Sequence, residues 1–105
     1  MRNLTPEEVQ HALRCDNRFT LLDVRTPLEV SIAALPGAVC IPLNELPARH
    51  HELPADRPVI VYCHHGIRSE TAGYFLERSG FSDVAHMVGG IDAWSERVDP
   101  SVPRY

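Results

Sequence analysis

Cys63 begins the stretch Cys63-His64-His65-Gly66-Ile67-Arg68-Ser69, directly after the apolar run Pro58-Val59-Ile60-Val61-Tyr62 and before a helical pattern. Strand, tight loop and helix form an arrangement in which the backbone can activate a nucleophile. A loop curled around a sulfur atom aims several peptide N–H groups at one point, and the following helix adds the positive end of its dipole. A free thiol ionises near pH 8.5, and surroundings of this kind bring that to roughly 3.5–7.5. Gly66 suits a loop that needs an unusual φ and leaves the sulfur uncrowded. Arg68 falls in the first helical turn, where a cation is unfavourable for the helix itself. It is either a solvated residue or a guanidinium facing the pocket.

His64 and His65 invite a metal or acid–base reading. Zinc wants three or four converging ligands, and of the other candidates only Cys63 is near. No metal and no cofactor are therefore expected, and the two histidines read as backbone donors with a polar rim. Asp23 ends a second apolar run, Phe19-Thr20-Leu21-Leu22-Asp23-Val24. In an open α/β sheet ligands sit beyond the carboxyl ends of the strands, so Asp23 and Cys63 can share one rim. Asp23 and Arg25 read as supports, a carboxylate accepting loop N–H bonds or pairing with an arginine to hold the cradle in shape.

The elements that must position these groups are marked along the chain. Thr5-Pro6-Glu7-Glu8 and Thr26-Pro27-Leu28-Glu29 each carry a capping residue, proline at the first helical position and a glutamate placed to close a capping box. Val9, Ala12 and Leu13 give the stripe of a packed helix. Ala38 to Ile41 reads as a short apolar strand with Cys40 in the core, and Pro42 to Leu53 as a helical turn or two. The continuous apolarity of residues 58–62 fits a strand covered by helices on both faces. Ala72, Phe75 and Leu76 line one face of the next helix, which ends near Gly80. Asp83 to Val88 is one more strand, Gly89-Gly90 breaks the chain, and a last helix turns Ile91 and Trp94 inward. Residues 98–105 read as a tail, Cys15 as partly exposed, and His50-His51 as exposed. Strands alternating with helices predict an open α/β domain.

With 105 residues the chain is expected to be one domain, residues 1–105, burying roughly two-thirds of its unfolded surface. A net charge of −4 argues against nucleic acid or an anionic membrane as partner. No apolar stretch is long enough to span a bilayer, and Met1 to Thr5 lacks the apolar core of a signal peptide. Three cysteines without a Cys-x-x-Cys pair suggest neither a disulfide framework nor a thioredoxin-type site. The expected compartment is the cytoplasm, where a working thiol stays reduced.

Four segments in register resemble the rhodanese family of sulfurtransferases. Leu21 to Pro27 is similar to its first signature, Leu35 to Ala38 and Ile41 to Leu43 to its middle segment, Val61 to Ser69 to its active-site loop, and Gly89 to Trp94 to its closing motif. Ala33-Ala34 departs from the Gly-His many members carry before Leu35. Asp99 to Tyr105 resembles the ending of rhodanese domains fused to molybdopterin-synthase adenylyltransferases. The resemblance implies a small three-layer α/β domain around a mainly parallel sheet of about five strands. It implies transfer of the outer sulfur of a donor through a cysteine persulfide, with Cys63 carrying the sulfur. His64, His65, Gly66, Ile67, Arg68 and Ser69 would form the anion cradle, with Arg68 facing the donor.

Such chemistry needs a small anionic sulfur donor such as thiosulfate and a thiophilic acceptor: cyanide, a thiol or a carrier protein. Donor and leaving group are anionic while the chain is net negative, so attraction must come from local dipoles and Arg68. A non-catalytic or sulfur-relay binding module is the second reading. Related phosphatases resemble Cys-x5-Arg, whereas here four residues separate Cys63 from Arg68. That shorter ring favours a lone sulfur over a phosphoryl group, with a Cys-dependent phosphatase or arsenate reductase as the remaining alternative.

Overall fold

A computed structural model describes residues 1–15 and 18–105. Ten elements carry the fold: β1 (Arg2–Leu4), α1 (Pro6–Cys15), β2 (Thr20–Asp23), α2 (Pro27–Ile32), β3 (Val39–Cys40), α3 (Leu46–Arg49), β4 (Val59–Tyr62), α4 (Ile67–Arg78), β5 (Val84–Met87) and α5 (Gly90–Arg97). Short 3₁₀ turns flank α3 at Leu43–Glu45 and His50–Glu52. The five strands form one sheet in the order β1-β5-β4-β2-β3, every neighbouring pair parallel.

The period of two along each strand sorts side chains to opposite faces. In β4, Val59 and Val61 join Leu22, Leu46, Ala72, Leu76 and Val84 in the core beneath α3 and α4. Ile60 and Tyr62 join Val9, Leu21, Met87, Ile91 and Trp94 in the core beneath α1 and α5. All four residues of β4 are buried, as its unbroken apolarity requires. Both capping boxes form. Thr5 Oγ1 accepts from the Glu8 N–H (3.2 Å) and Glu8 Oε1 from the Thr5 N–H (2.9 Å); Thr26 and Glu29 repeat the exchange at α2.

Four features differ from the sequence reading. β1 has no local signature because it is three residues long, with Arg2 and Asn3 polar and exposed; only its pairing of Arg2 with Ala85, Asn3 with His86 and Leu4 with Met87 makes it a strand. β3 lies at the opposite edge with both residues exposed, so Cys40 is a surface thiol rather than a core residue. Residues 98–105 pack: Val98 and Val102 join the core around Trp94, and Asp99 turns the chain by accepting from the Ser101 N–H at 3.1 Å. His50 is half-buried, edge-on to Phe75. No helix among the described residues is long and apolar enough to cross a membrane.

Candidate active site

β4 ends at Tyr62, and the chain turns at once into the loop 63–66 that starts α4. Gly66, at φ +106°, makes the turn possible, since a side chain in this left-handed region is strained. The Cys63 sulfur sits over the head of α4 and accepts from the Gly66 N–H at 3.1 Å and the Ser69 N–H at 3.3 Å. The Ser69 hydroxyl lies 3.6 Å away. Among the described residues these are the groups bonded to the sulfur; the amides of His64, His65, Ile67 and Arg68 do not reach it. The sequence places the thiol at the loop's mouth, whereas the structure leaves Cys63 only 1% exposed.

The loop is held from behind by α5. The N–H groups of Ile91 and Asp92 donate to the carbonyls of Cys63 (2.8 Å) and His64 (3.1 Å). Gly90 permits this approach, because at φ +64° any Cβ there would overlap both carbonyls. The closing Gly-Gly motif is thus the back wall of the cysteine loop.

Arg68 does not point into open space. It forms a bidentate pair with Glu29, at 2.6 and 2.9 Å, which joins α4 to α2 across the rim. Glu29 also accepts from the Tyr105 hydroxyl at 2.8 Å. Arg68 first, then the Tyr105 and Thr26 donors, hold the Glu29 carboxyl well below the usual carboxylate range against the opposing effect of burial. Arg68 in turn is raised, chiefly by its bonds to Glu29.

Asp23 and Arg25 are both fully buried and form a bidentate pair at 2.9 and 2.6 Å. The remaining guanidinium N–H groups donate to the Ala33 carbonyl (2.6 Å) and the Tyr105 oxygen (2.8 Å). Burial works against the Arg25 charge, but its bonds to Asp23 and Tyr105 outweigh that and raise its pKa. Among the described residues Asp23 accepts no bond from the cysteine loop. The pair instead anchors the end of α2 and the segment ending at Tyr105.

Two residues at the site were given no role from the sequence: Tyr105, which entered only through the resemblance of the ending, and His86. Tyr105 stacks on His64 with ring centroids 3.9 Å apart and planes 8° from parallel, while His65 lies 3.9 Å from the other side of His64. His64 Nε2 is buried there without a hydrogen-bond partner. His65 faces Asp92 at 3.9 Å, and Asp92 is bonded by Arg104 at 3.0 and 3.2 Å, which pins the closing segment beside the loop. His86, on β5, is 4% exposed, with Nδ1 3.1 Å from the Ser69 hydroxyl. Burial lowers its pKa despite the nearby Glu70. Among the described residues no group of three or more His, Cys, Asp or Glu could hold a metal ion.

Residues 5–97 match the model of the rhodanese-like domain. A sulfurtransferase of Allochromatium vinosum is 33% identical, covering 97% of this chain and 95% of its own length. The probable adenylyltransferase/sulfurtransferase MoeZ of Mycobacterium tuberculosis is 36% identical over 97% of this chain, which spans only 26% of that longer protein. A rhodanese-related protein from Thermoplasma volcanium superposes with a TM-score of 0.87 at 30% identity, each chain covered completely. The Thermoplasma structure shares this architecture over its whole length, and the chain belongs to the rhodanese-like family.

Proposed function

We propose that this chain is a sulfurtransferase that carries sulfane sulfur as a persulfide on Cys63. The observation that carries the reading is the Cys63 sulfur accepting two backbone N–H bonds at the head of a 12-residue helix. Converging backbone N–H donors of this kind are what the sulfur of a persulfide needs from its surroundings. The thiolate attacks the outer sulfur of a donor such as thiosulfate; a new S–S bond forms, the donor's S–S bond breaks, and sulfite leaves with the electron pair. A thiophilic acceptor then attacks the outer sulfur and Cys63 departs as the thiolate. One difficult transfer becomes two easier ones. First-turn N–H groups of a helix have no intrahelical acceptor, so those of Ile67 and Arg68 are available to the second sulfur. The family and the Allochromatium relative's name support the same reaction class.

A second reading is a relay module that exchanges sulfur with a protein partner rather than turning over small donors. It is favoured by the closed rim, with Cys63 buried and Arg68 held by Glu29, and by the likeness to one part of MoeZ. Phosphoryl transfer is disfavoured by the short ring and by the turning of Arg68 toward Glu29. Three free cysteines suit a reducing compartment such as the cytoplasm.

The test is intact mass after incubation with thiosulfate, for wild type, Cys63→Ser and Cys15→Ser, followed by cyanide and assay of thiocyanate. Wild type and Cys15→Ser should gain one sulfur atom and release it as thiocyanate, and Cys63→Ser should gain none. A sulfur gain that survives in Cys63→Ser refutes the assignment. Sulfur loading without thiocyanate turnover selects the relay module, and rapid hydrolysis of an aryl phosphate selects the phosphatase.

A further inference from the structure

Behind the cysteine loop, on the α4 side of the sheet, lies a line of polar groups that sulfur transfer by backbone amides alone does not use. The Ser69 hydroxyl stands between the Cys63 sulfur (3.6 Å) and His86 Nδ1 (3.1 Å), with the Gly66 carbonyl, also 3.1 Å away, as a second acceptor for its one proton; His86 Nε2 stands 3.9 Å from the Glu70 carboxylate. Ser69 is fully buried and His86 nearly so, while Glu70 reaches solvent. In β5 the period of two sends Val84 and His86 toward α4 and Met87 to the opposite core. A histidine in such a buried row costs desolvation unless its nitrogens are used. His86 also lines a cleft of about 340 Å³ with Asn3, His65, Glu70 and Val88, open to solvent beside the loop.

We propose that Ser69 and His86 are positioning residues that take up the Cys63 proton, with Glu70 steadying the charge that results; this rests on Cys63 being the nucleophile. In the competent arrangement the Cys63 S–H donates to Ser69 Oγ, the Ser69 O–H turns from the Gly66 carbonyl to His86 Nδ1, and the Nε2–H faces Glu70. Transfer moves the sulfur's proton onto Ser69 Oγ as the Ser69 proton passes to Nδ1. The S–H and O–H bonds break, new O–H and N–H bonds form, and the products are thiolate, neutral serine and imidazolium. The imidazolium then has both N–H groups engaged, one toward Ser69 and one toward Glu70. Of the elements packed around His86, α4 supplies the one carboxylate, Glu70. β1 and β4 bring the uncharged Asn3 and Val61 into register with it, and the loop brings His65 into the same cleft. Unprotonated imidazole is the competent acceptor; burial disfavours the protonated ring and the Glu70 carboxylate opposes that effect.

The test is the rate of Cys63 alkylation by iodoacetamide against pH, for wild type, His86→Asn, Ser69→Ala and Glu70→Gln. Alkylation reads the thiol with no sulfur donor present, so this proposal can fail while persulfide formation stands, and the reverse. The rate at pH 7 should fall about tenfold in His86→Asn and Ser69→Ala, the effect of displacing thiol ionisation by one pH unit. Glu70→Gln, at an exposed position, should fall less. All profiles should move to higher pH and reach the wild-type plateau, a pattern that loss of packing does not give. Profiles that coincide with wild type, or that fall evenly at every pH, overturn the proposal. Should the buried variants not fold, the ring-nitrogen NMR spectrum of wild type decides. Neutral His86 carrying its proton on Nε2 supports the relay, and a proton on Nδ1 overturns it.

Discussion

Gly80 and Gly90 offer a controlled comparison, because both need positive φ, +103° and +64°, but only one is crowded. A Cβ at Gly80 would meet nothing within 4 Å, whereas one at Gly90 would overlap the carbonyls of Cys63 and His64. Gly80→Ala should therefore cost only the left-handed strain, about 1–2 kcal/mol. Gly90→Ala carries the same strain and must also push α5 away from the cysteine loop. That breaks the bonds from the Ile91 and Asp92 N–H groups, each contributing about 1 kcal/mol and more where a partner stays buried and unpaired. The sum is about 3–6 kcal/mol, a large part of the roughly 5–15 kcal/mol that holds a domain of this size. Urea denaturation followed by Trp94 fluorescence measures both variants on one scale, and Cys63 alkylation reports whether the loop has shifted. If Gly90→Ala proves no more costly than Gly80→Ala, the back-wall account of the Gly-Gly motif is wrong.

Asp23→Asn should lose about 3–5 kcal/mol in the same urea assay, because it strands the fully buried Arg25 charge; a loss below 1 kcal/mol would contradict the anchoring role. Glu29 has a depressed folded pKa, so the stability it adds is complete above the unfolded glutamate value, about 4.3, and disappears as pH falls through the lower folded value. The stability gap between wild type and Glu29→Gln should accordingly be full at neutral pH and narrow in acid, as a thermal-melt series against pH would show. Tyr105→Ala removes the ring stacked on His64 and should raise the alkylation rate of Cys63 severalfold. An unchanged rate would mean that the closing segment does not restrict access to the thiol.

Features written in neighbouring residues were legible in the sequence. The capping boxes at Thr5 and Thr26, the unbroken apolar run of β4 and the loop running into α4 all rest on contacts a few positions apart. What escaped depends on distant partners. β1 is a strand only because β5, some 80 residues later, pairs with it. His86 sits in a short apolar strand, and its meeting with Ser69 follows from how α4 packs on β5 rather than from any spacing. The bond between Arg68 and Glu29 spans 39 positions and Tyr105 reaches Arg25 across 80, so no local spacing signals either pairing. Cys40 was misplaced for a related reason: a small apolar segment resembles a core strand until the sheet order puts it at an edge.

The pairing of β1 with β5 also governs how the polypeptide acquires its shape. Residues 2–4 find their neighbours only at residues 85–87, so almost the entire chain must be threaded before that margin closes. Closing so long a loop is entropically expensive and brings little reward until it is complete, which slows parallel sheets as a class. The remaining strands are consecutive enough to assemble around β4 earlier. On a ribosome the opening residues would wait, unpaired, until β5 emerges, leaving the β5 side of the half-built sheet as the surface most in need of protection during synthesis.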